Sequence, residues 1–448
     1  MIRRAWYAAK SWFSQTWVDI KESTDAGLLG GARFLGLLYG PIDRRLRIDE
    51  ALRKMLGYRL DPHVGWRQMF GGITYVLFMI LVVTGVLMAL YYRPSVQEAY
   101  PSTQHIVSNV SFGWLIRDLH VWSASLIVVA VLAHMARVLL EAAYKPPRET
   151  NWTIGLLLLG VILAFGATGY LLPWDQWAYW TVTEVLVAIS GFPLVGGLIA
   201  DTLMGDVIVS GATLSRFFSI HVIVLPWVSL ALLSYHFTLV RRRGIAPPVH
   251  VEEQSVGRRR RGAPNPQQHQ SADDGSQQGV RFFPTHLLRS LSVTVLVLAI
   301  AVTLAVLYPR PFGPPANPLV VPHELVSTWV PVDVSLALLR YLGIWGFIVF
   351  TLLGVSLVLL PLFDRGPERR IRKRPVVAVL GLLFFGGFVV LWLVGRGIGS
   401  LPPSEGIGQE ARQERVVPGE RAAPLPRVGP ARPAVPSDSA AGERGNTP

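Results

Sequence analysis

The chain has 448 residues, 51% of them hydrophobic and only 16% charged, with a mean hydropathy of +0.40. A soluble domain carries about 25% charged residues, so this composition excludes one and indicates a membrane protein. The 42 Lys and Arg against 29 Asp and Glu give a net +13, which topology-setting cations in short cytoplasmic loops explain better than nucleic acid does, so no nucleic-acid partner is expected. The chain has no cysteine, which removes disulfides, thiolate metal sites, iron–sulfur ligation and thioether-linked heme; a redox cofactor here needs histidine or another non-thiol ligand.

In chain order, residues 1–67 read as a cytoplasmic N-terminal segment without a secretory signal pattern. In it Trp6, Trp12, Phe13 and Trp17 stand among Lys and Ser, which fits an interfacial helix or an ordinary anchor. Seven stretches then reach the roughly 20 apolar residues that a bilayer crossing needs: 68–92, 119–136, 150–174, 217–240, 290–309, 341–363 and 375–395. The first four make a block over 68–243 and the last three a block over 282–400. Between them, 244–281 is polar and low in complexity and reads as a flexible linker. The connection 173–216 is too apolar to be simply solvated, and short helices on the outer membrane surface are expected there. Residues 401–448 hold nine prolines and read as a disordered tail.

Basic residues cluster before the first span, between the second and third (Lys145, Arg148), in the linker (Arg241–Arg243, Arg258–Arg261) and between the sixth and seventh. By the positive-inside rule the N-terminus is cytoplasmic, and seven crossings put the C-terminus outside. The expected fold is an all-α integral membrane protein of the cell inner (plasma) membrane: seven transmembrane helices, arranged as an N-terminal four-helix bundle plus a three-helix C-terminal block.

Four histidines fall inside spans, His120 and His134 in the second, His221 and His236 in the fourth, 14 and 15 residues apart. Fourteen residues of α-helix advance roughly 21 Å and return to within about 40° of the starting face. The second and fourth spans run in the same direction, so His120 lies level with His221, and His134 with His236. A lone intramembrane histidine would be a satisfied polar group or part of a proton relay. Four at matched depths point to two bis-histidine hemes, one at each end of the bundle, with all four histidines as the metal ligands. A zinc or copper site would need its ligands clustered, which this spacing forbids. Gly71 and Gly85 in the first span and Gly155 and Gly169 in the third repeat the interval of 14. They let a porphyrin edge approach a backbone, or serve ordinary helix packing. Arg117 and Arg137 lie three residues from His120 and His134, where a guanidinium could pair with a heme propionate; Arg137 could equally be an anchor at the cytoplasmic surface.

The runs Gly71-Gly72-Ile73-Thr74, Tyr91-Tyr92-Arg93-Pro94, Phe112-Gly113-Trp114-Leu115-Ile116-Arg117, Trp122-Ser123-Ala124-Ser125, Gly169-Tyr170-Leu171-Leu172-Pro173-Trp174-Asp175-Gln176 and Leu214-Ser215-Arg216-Phe217 resemble cytochrome b of the Rieske/cytochrome b (bc-type) complexes. The resemblance covers about 62–248 and is closest to the split cytochrome b of the plastoquinol–plastocyanin complex. Residues 282–396, with Pro315-Ala316-Asn317-Pro318, resemble that complex's subunit four, here fused. The resemblance implies two non-covalent b hemes (heme b) and a quinone/quinol substrate oxidised outside and reduced inside. As partners it implies a Rieske iron–sulfur protein, a c-type cytochrome subunit or acceptor, the lipid bilayer and a homodimeric complex. Arg241 matches a basic position near the inner quinone pocket of such proteins, and also reads as a positive-inside anchor.

Two positions depart from the pattern. Met69 stands where the split family has the cysteine that tethers an extra heme, so no covalent third heme is expected. Ser327-Thr328-Trp329-Val330 stands where the family has Pro-Glu-Trp-Tyr, whose glutamate accepts a proton from quinol. A threonine cannot be a general base near neutral pH. Asp333, Glu324 and Asp175 are the candidates to replace it, in that order of preference for the first two, while Asp175 has a counterpart in the split family. The first reading is a diheme cytochrome b subunit of a quinol–cytochrome c oxidoreductase-type complex that translocates protons. The alternatives are a diheme electron conduit without outer-site quinol oxidation, and a heme-stabilised scaffold.

Overall fold

A computed structural model describes residues 59–60, 65–246, 280–322 and 329–398. The expected interfacial helix, most of the linker, the tail, and Glu324, Ser327 and Thr328 lie outside the described residues. Within them, seven helices are long and apolar enough to cross a membrane, and apart from a two-residue antiparallel pairing of β1 (Arg59–Leu60) with β2 (Val280–Arg281) the architecture is helical.

The elements are α1 (Trp66–Ala89), α2 (Ala99–Asn109), α3 (Gly113–Leu140), α4 (Glu149–Tyr170), α5 (Gln176–Ser190), α6 (Gly196–Met204), α7 (Gly211–Arg243), α8 (Pro284–Leu307), α9 (Val330–Phe363) and α10 (Pro375–Arg396). The helix α1 packs along α3, and α4 along α7. In the C-terminal block α9 packs on α10, while α8 lies against α3 and α1. One apolar core joins the two blocks, with Leu77, Ile127 and Val128 from the first and Val293, Val297, Trp329 and Phe388 from the second. Its outer helical surfaces stay apolar and exposed, as a lipid solvent requires.

Three span starts differ from the sequence expectation for a visible reason. The second span begins at Gly113 rather than 119, because Arg117 and Asp118 neutralise each other in a buried ion pair of 2.7 Å instead of ending the helix. The fourth begins at Gly211, where the Ser210 hydroxyl accepts from Ala212 N–H and Thr213 Oγ1 accepts from Ser210 N–H; such reciprocal capping starts a helix. The sixth begins at Val330 rather than 341, but Gly343 (φ 58, ψ −151) breaks its helical path. Residues 330–342 are thus a separate helical segment ahead of the crossing, and only glycine tolerates that φ cheaply.

The connection 173–216 forms α5 and α6. Asp175 caps α5, its carboxylate accepting from Ala178 N–H at 2.8 Å, and the helix buries Tyr179, Trp180 and Leu186 against Leu171, Leu214 and Phe217. This layer grips the second block: Gln176 N–H donates to Pro314 O at 2.8 Å and Ala316 N–H to Trp174 O at 3.1 Å. The helix α2, in the connection between the first two spans, was not expected; its short polar sequence gives little periodic signal.

One turn of α7 is irregular. Ile220–Val224 is π-helical, and the Leu225 amide donates to the Ile220 carbonyl five residues back.

Candidate heme-ligating site

The helices α3 and α7 carry all four intraspan histidines. At one end of the bundle the His120 and His221 rings have centroids 6.5 Å apart, tilted by 59°. Two imidazoles sharing one ion at about 2 Å per metal–nitrogen bond would have centroids roughly 6 Å apart, so the pair fits a common metal. The hydrogen bonds agree. Thr84 Oγ1 donates to Ile80 O at 2.6 Å, so it accepts from His120 Nδ1 at 2.8 Å. The Phe165 carbonyl, which can only accept, lies 2.9 Å from His221 Nδ1, with Thr168 Oγ1 at 3.2 Å. Both Nδ1 atoms therefore carry the proton and both Nε2 atoms keep a lone pair, the tautomer that a ligating imidazole needs.

At the other end, His134 and His236 line one cavity of about 280 Å³ with Gly71, Gly155, Asn151 and Trp152. The His134 Nδ1 is buried and makes no hydrogen bond, and the His236 ring has the Asn151 backbone as its polar neighbour. A largely apolar void lined by two imidazoles fits a flat, mostly apolar group held by the two rings.

The four glycines each face one histidine. A Cβ on Gly169 would lie 2.6 Å from His221 Cε1, on Gly71 3.2 Å from His134 Cε1, on Gly85 3.3 Å from His120 Cε1, and on Gly155 3.8 Å from His236 Cε1. The sequence reading offered this space to a porphyrin edge or to helix packing; in the structure each glycine lies against an imidazole ring. Sequence reasoning missed the Nδ1 partners Thr84 and Thr168. The signal was the dipeptide Thr-Gly, present at 84–85 and 168–169 and absent before Gly71 and Gly155, which matches the two histidines that meet a threonine hydroxyl.

The arginines divide. Arg137 lines the His134/His236 cavity and pairs with Glu141 at 2.9 Å. Arg117, the other arginine that could pair with a propionate, lies at the seam between the blocks: it pairs with Asp118, donates to the Arg310 carbonyl and lies 4.0 Å over the Phe312 ring. Arg241 is exposed at the end of α7 and does not line the cavity.

The two described carboxylate candidates are both engaged. Asp333 is buried, 3.4 Å from Arg396 Nε, and packs under Gly395. Asp175 also accepts from Gly313 N–H at 3.3 Å. Burial pushes the Asp175 carboxyl above its ordinary range, against the pull of Ala178 N–H, Gly313 N–H and Arg117.

Two family models match the chain: cytochrome b/b6/petB over residues 55–244 and cytochrome b(C-terminal)/b6/petD over residues 315–405. Cytochrome b6 of Synechococcus sp. (strain JA-3-3Ab) is 42% identical over 212 residues, 47% of this chain and 99% of that protein. Cytochrome b6 of Gracilaria tenuistipitata var. liui is 41% identical over 215 residues, 48% of this chain and 100% of that protein. A solved chain described as hyperthermophilic respiratory Complex III superposes with a TM-score of 0.67 at 28% identity, over 84% of this chain and 93% of that one.

Proposed function

The chain belongs to the cytochrome b/b6 family, and on that footing we propose that it is the diheme subunit of a proton-translocating quinol–cytochrome c oxidoreductase-type complex. Membership makes it a multi-pass membrane protein of electron transport, a quinol-oxidoreductase-type cytochrome b with b-type hemes. Bound at the two ends of the bundle, these supply one-electron transfer across the bilayer from quinol outside to quinone inside. His120 and His221 hold the outer group and His134 and His236 the inner one. The observation that carries the assignment is the pair of Nδ1 hydrogen bonds to Thr84 and Phe165 across a 6.5 Å ring separation.

Thr84 and Phe165 orient the outer imidazoles, and Gly85 and Gly169 admit them. The chain has no cysteine, so both hemes are non-covalent, and Met69 offers no tether for a third. The second electron of quinol leaves to a Rieske iron–sulfur protein in another chain, since this one has no thiolate ligands, and thence to a c-type cytochrome. Quinol gives up protons at the outer side, where Asp333 is the preferred acceptor, Glu324 in the altered loop next, and Asp175 the third candidate. The N-terminus is cytoplasmic, the C-terminus outside, and the complex a homodimer.

One observation favours a second reading, the conduit that lacks outer quinol oxidation: Asp333 is held by Arg396 and Asp175 by two backbone amides. Quinol–cytochrome c reductase assays on the isolated complex decide between them. Turnover sensitive to outer-site inhibitors supports the first reading, and quinone reduction without that sensitivity supports the second.

A further inference from the structure

The two histidine intervals are unequal, 14 residues on α3 and 15 on α7. On uninterrupted α-helices they would not match. Fourteen residues end about 40° short of the starting face, whereas fifteen end about 60° past it. One α7 imidazole would then turn away from α3.

The helix α7 is not uninterrupted. Its π-helical turn at Ile220–Val224 contains His221, and the Leu225 amide reaches the Ile220 carbonyl; α3 is α-helical from Gly113 to Leu140. A π turn holds one more residue per hydrogen-bonded ring than an α turn, so it takes up an additional residue without rotating the rest of the helix. Pro226 gives the turn its cause. It has no amide hydrogen, so Val222, four residues earlier, has no α-helical donor, and the proline ring would clash with that carbonyl in a regular helix. A wider turn relieves the clash. The His221 side chain cannot make up a helical phase error by swinging, because its Nδ1 is tied to Phe165 O at 2.9 Å. Its Cε1 also already lies 2.6 Å from where a Cβ on Gly169 would stand.

We propose that Pro226 is a positioning residue: it holds the π turn that absorbs the additional residue of α7, and so keeps His221 and His236 on the face that α3 presents with an interval of 14. The inference rests on the histidine ligation proposed above and adds to it the element that sets the geometry of one site.

The test uses the purified complex, with each heme followed separately by its low-spin electron paramagnetic resonance signal and midpoint potential. Alanine is a better helix former than proline, so Pro226→Ala retains the span and lets the turn close to α-helix. The His120/His221 heme should then be lost, or its signal and potential shifted, with the His134/His236 heme unchanged. Combining Pro226→Ala with deletion of Val224 returns the interval to 14 and should restore the outer signal. An unchanged outer signal in Pro226→Ala overturns the proposal, as does loss of both hemes or failure of the shortened variant to restore the signal. Fewer than two hemes in the wild type would overturn the ligation reading itself, before any variant is compared.

Discussion

Lys145 Nζ lies 2.8 Å from Asp364 Oδ1, joining the loop after α3 to the loop after α9. The ammonium also donates to Gly366 O and Glu368 O, each at 2.7 Å, while Tyr144 and Arg374 reach the other carboxylate oxygen. This cluster is a hydrogen-bonded clasp between the two family-matched regions. Breaking a buried pair by removing one partner costs about 3–5 kcal/mol. Asp364→Asn should therefore lower the thermal midpoint of the detergent-solubilised complex by several degrees while leaving heme spectra intact.

The same carboxylate sets a pH dependence. Burial pushes Asp364 up, but the Lys145 ammonium, the Tyr144 hydroxyl and Arg374 outweigh it and hold it below its ordinary value. Because its pKa falls on folding, its contribution to stability is present above the ordinary carboxylate value near 4 and is lost as pH falls through the folded value. Acid unfolding followed by tryptophan fluorescence should show this loss in the wild type and not in Asp364→Asn.

Thr84 and Gly169 test the outer histidines from two sides. Thr84→Val takes the hydroxyl acceptor from His120 Nδ1–H and leaves it the Leu81 carbonyl, a loss of about 0.5–1.5 kcal/mol. The heme should stay bound, with a shifted midpoint potential. Gly169→Ala puts a Cβ 2.6 Å from His221 Cε1, so the ring must move and the outer heme should be depleted. Gly155→Ala, with 3.8 Å to His236 Cε1, should leave the inner heme nearly unaffected. Equal losses from the two alanines would contradict the assignment of glycines to imidazoles.

Much of this was legible in the sequence, and the failures have physical causes. Hydropathy and histidine spacing were enough for seven spans and the pairing of the histidines, because uncompensated charge is excluded from lipid and an imidazole there is conspicuous. The start of α3 was misjudged because Arg117 and Asp118 cancel each other, and cancellation is invisible one residue at a time. Thr84 and Thr168 escaped notice because a hydroxyl bonding its own helix is unremarkable until a histidine from another helix meets it. The π turn could not be read from hydropathy at all, although the proline five residues after His221 is its trace.

The outer carboxylates separate by substitution. A general base contributes about 10²–10⁴-fold, so Asp333→Asn should reduce quinol oxidation by that order with both heme signals unchanged. Asp175→Asn keeps the cap of α5, since Asn caps as well as Asp, and should stay within a few-fold of wild type. Thr328→Glu should raise turnover if the lost glutamate limits it. An active enzyme indifferent to replacement of Asp333, Asp175 and Glu324 would refute this account of proton release.

The central claim is two non-covalent b hemes on four named histidines, and a pyridine hemochrome assay coupled to a redox titration of the purified complex tests it most directly. The wild type should give two b hemes per chain with two resolved midpoint potentials and no heme-staining band on a denaturing gel. His120→Ala should keep one, the His134/His236 heme, because the sites are roughly 20 Å apart along the helices. One heme or none in the wild type, a heme that stays with the denatured chain, or loss of both from a folded His120→Ala protein would contradict it.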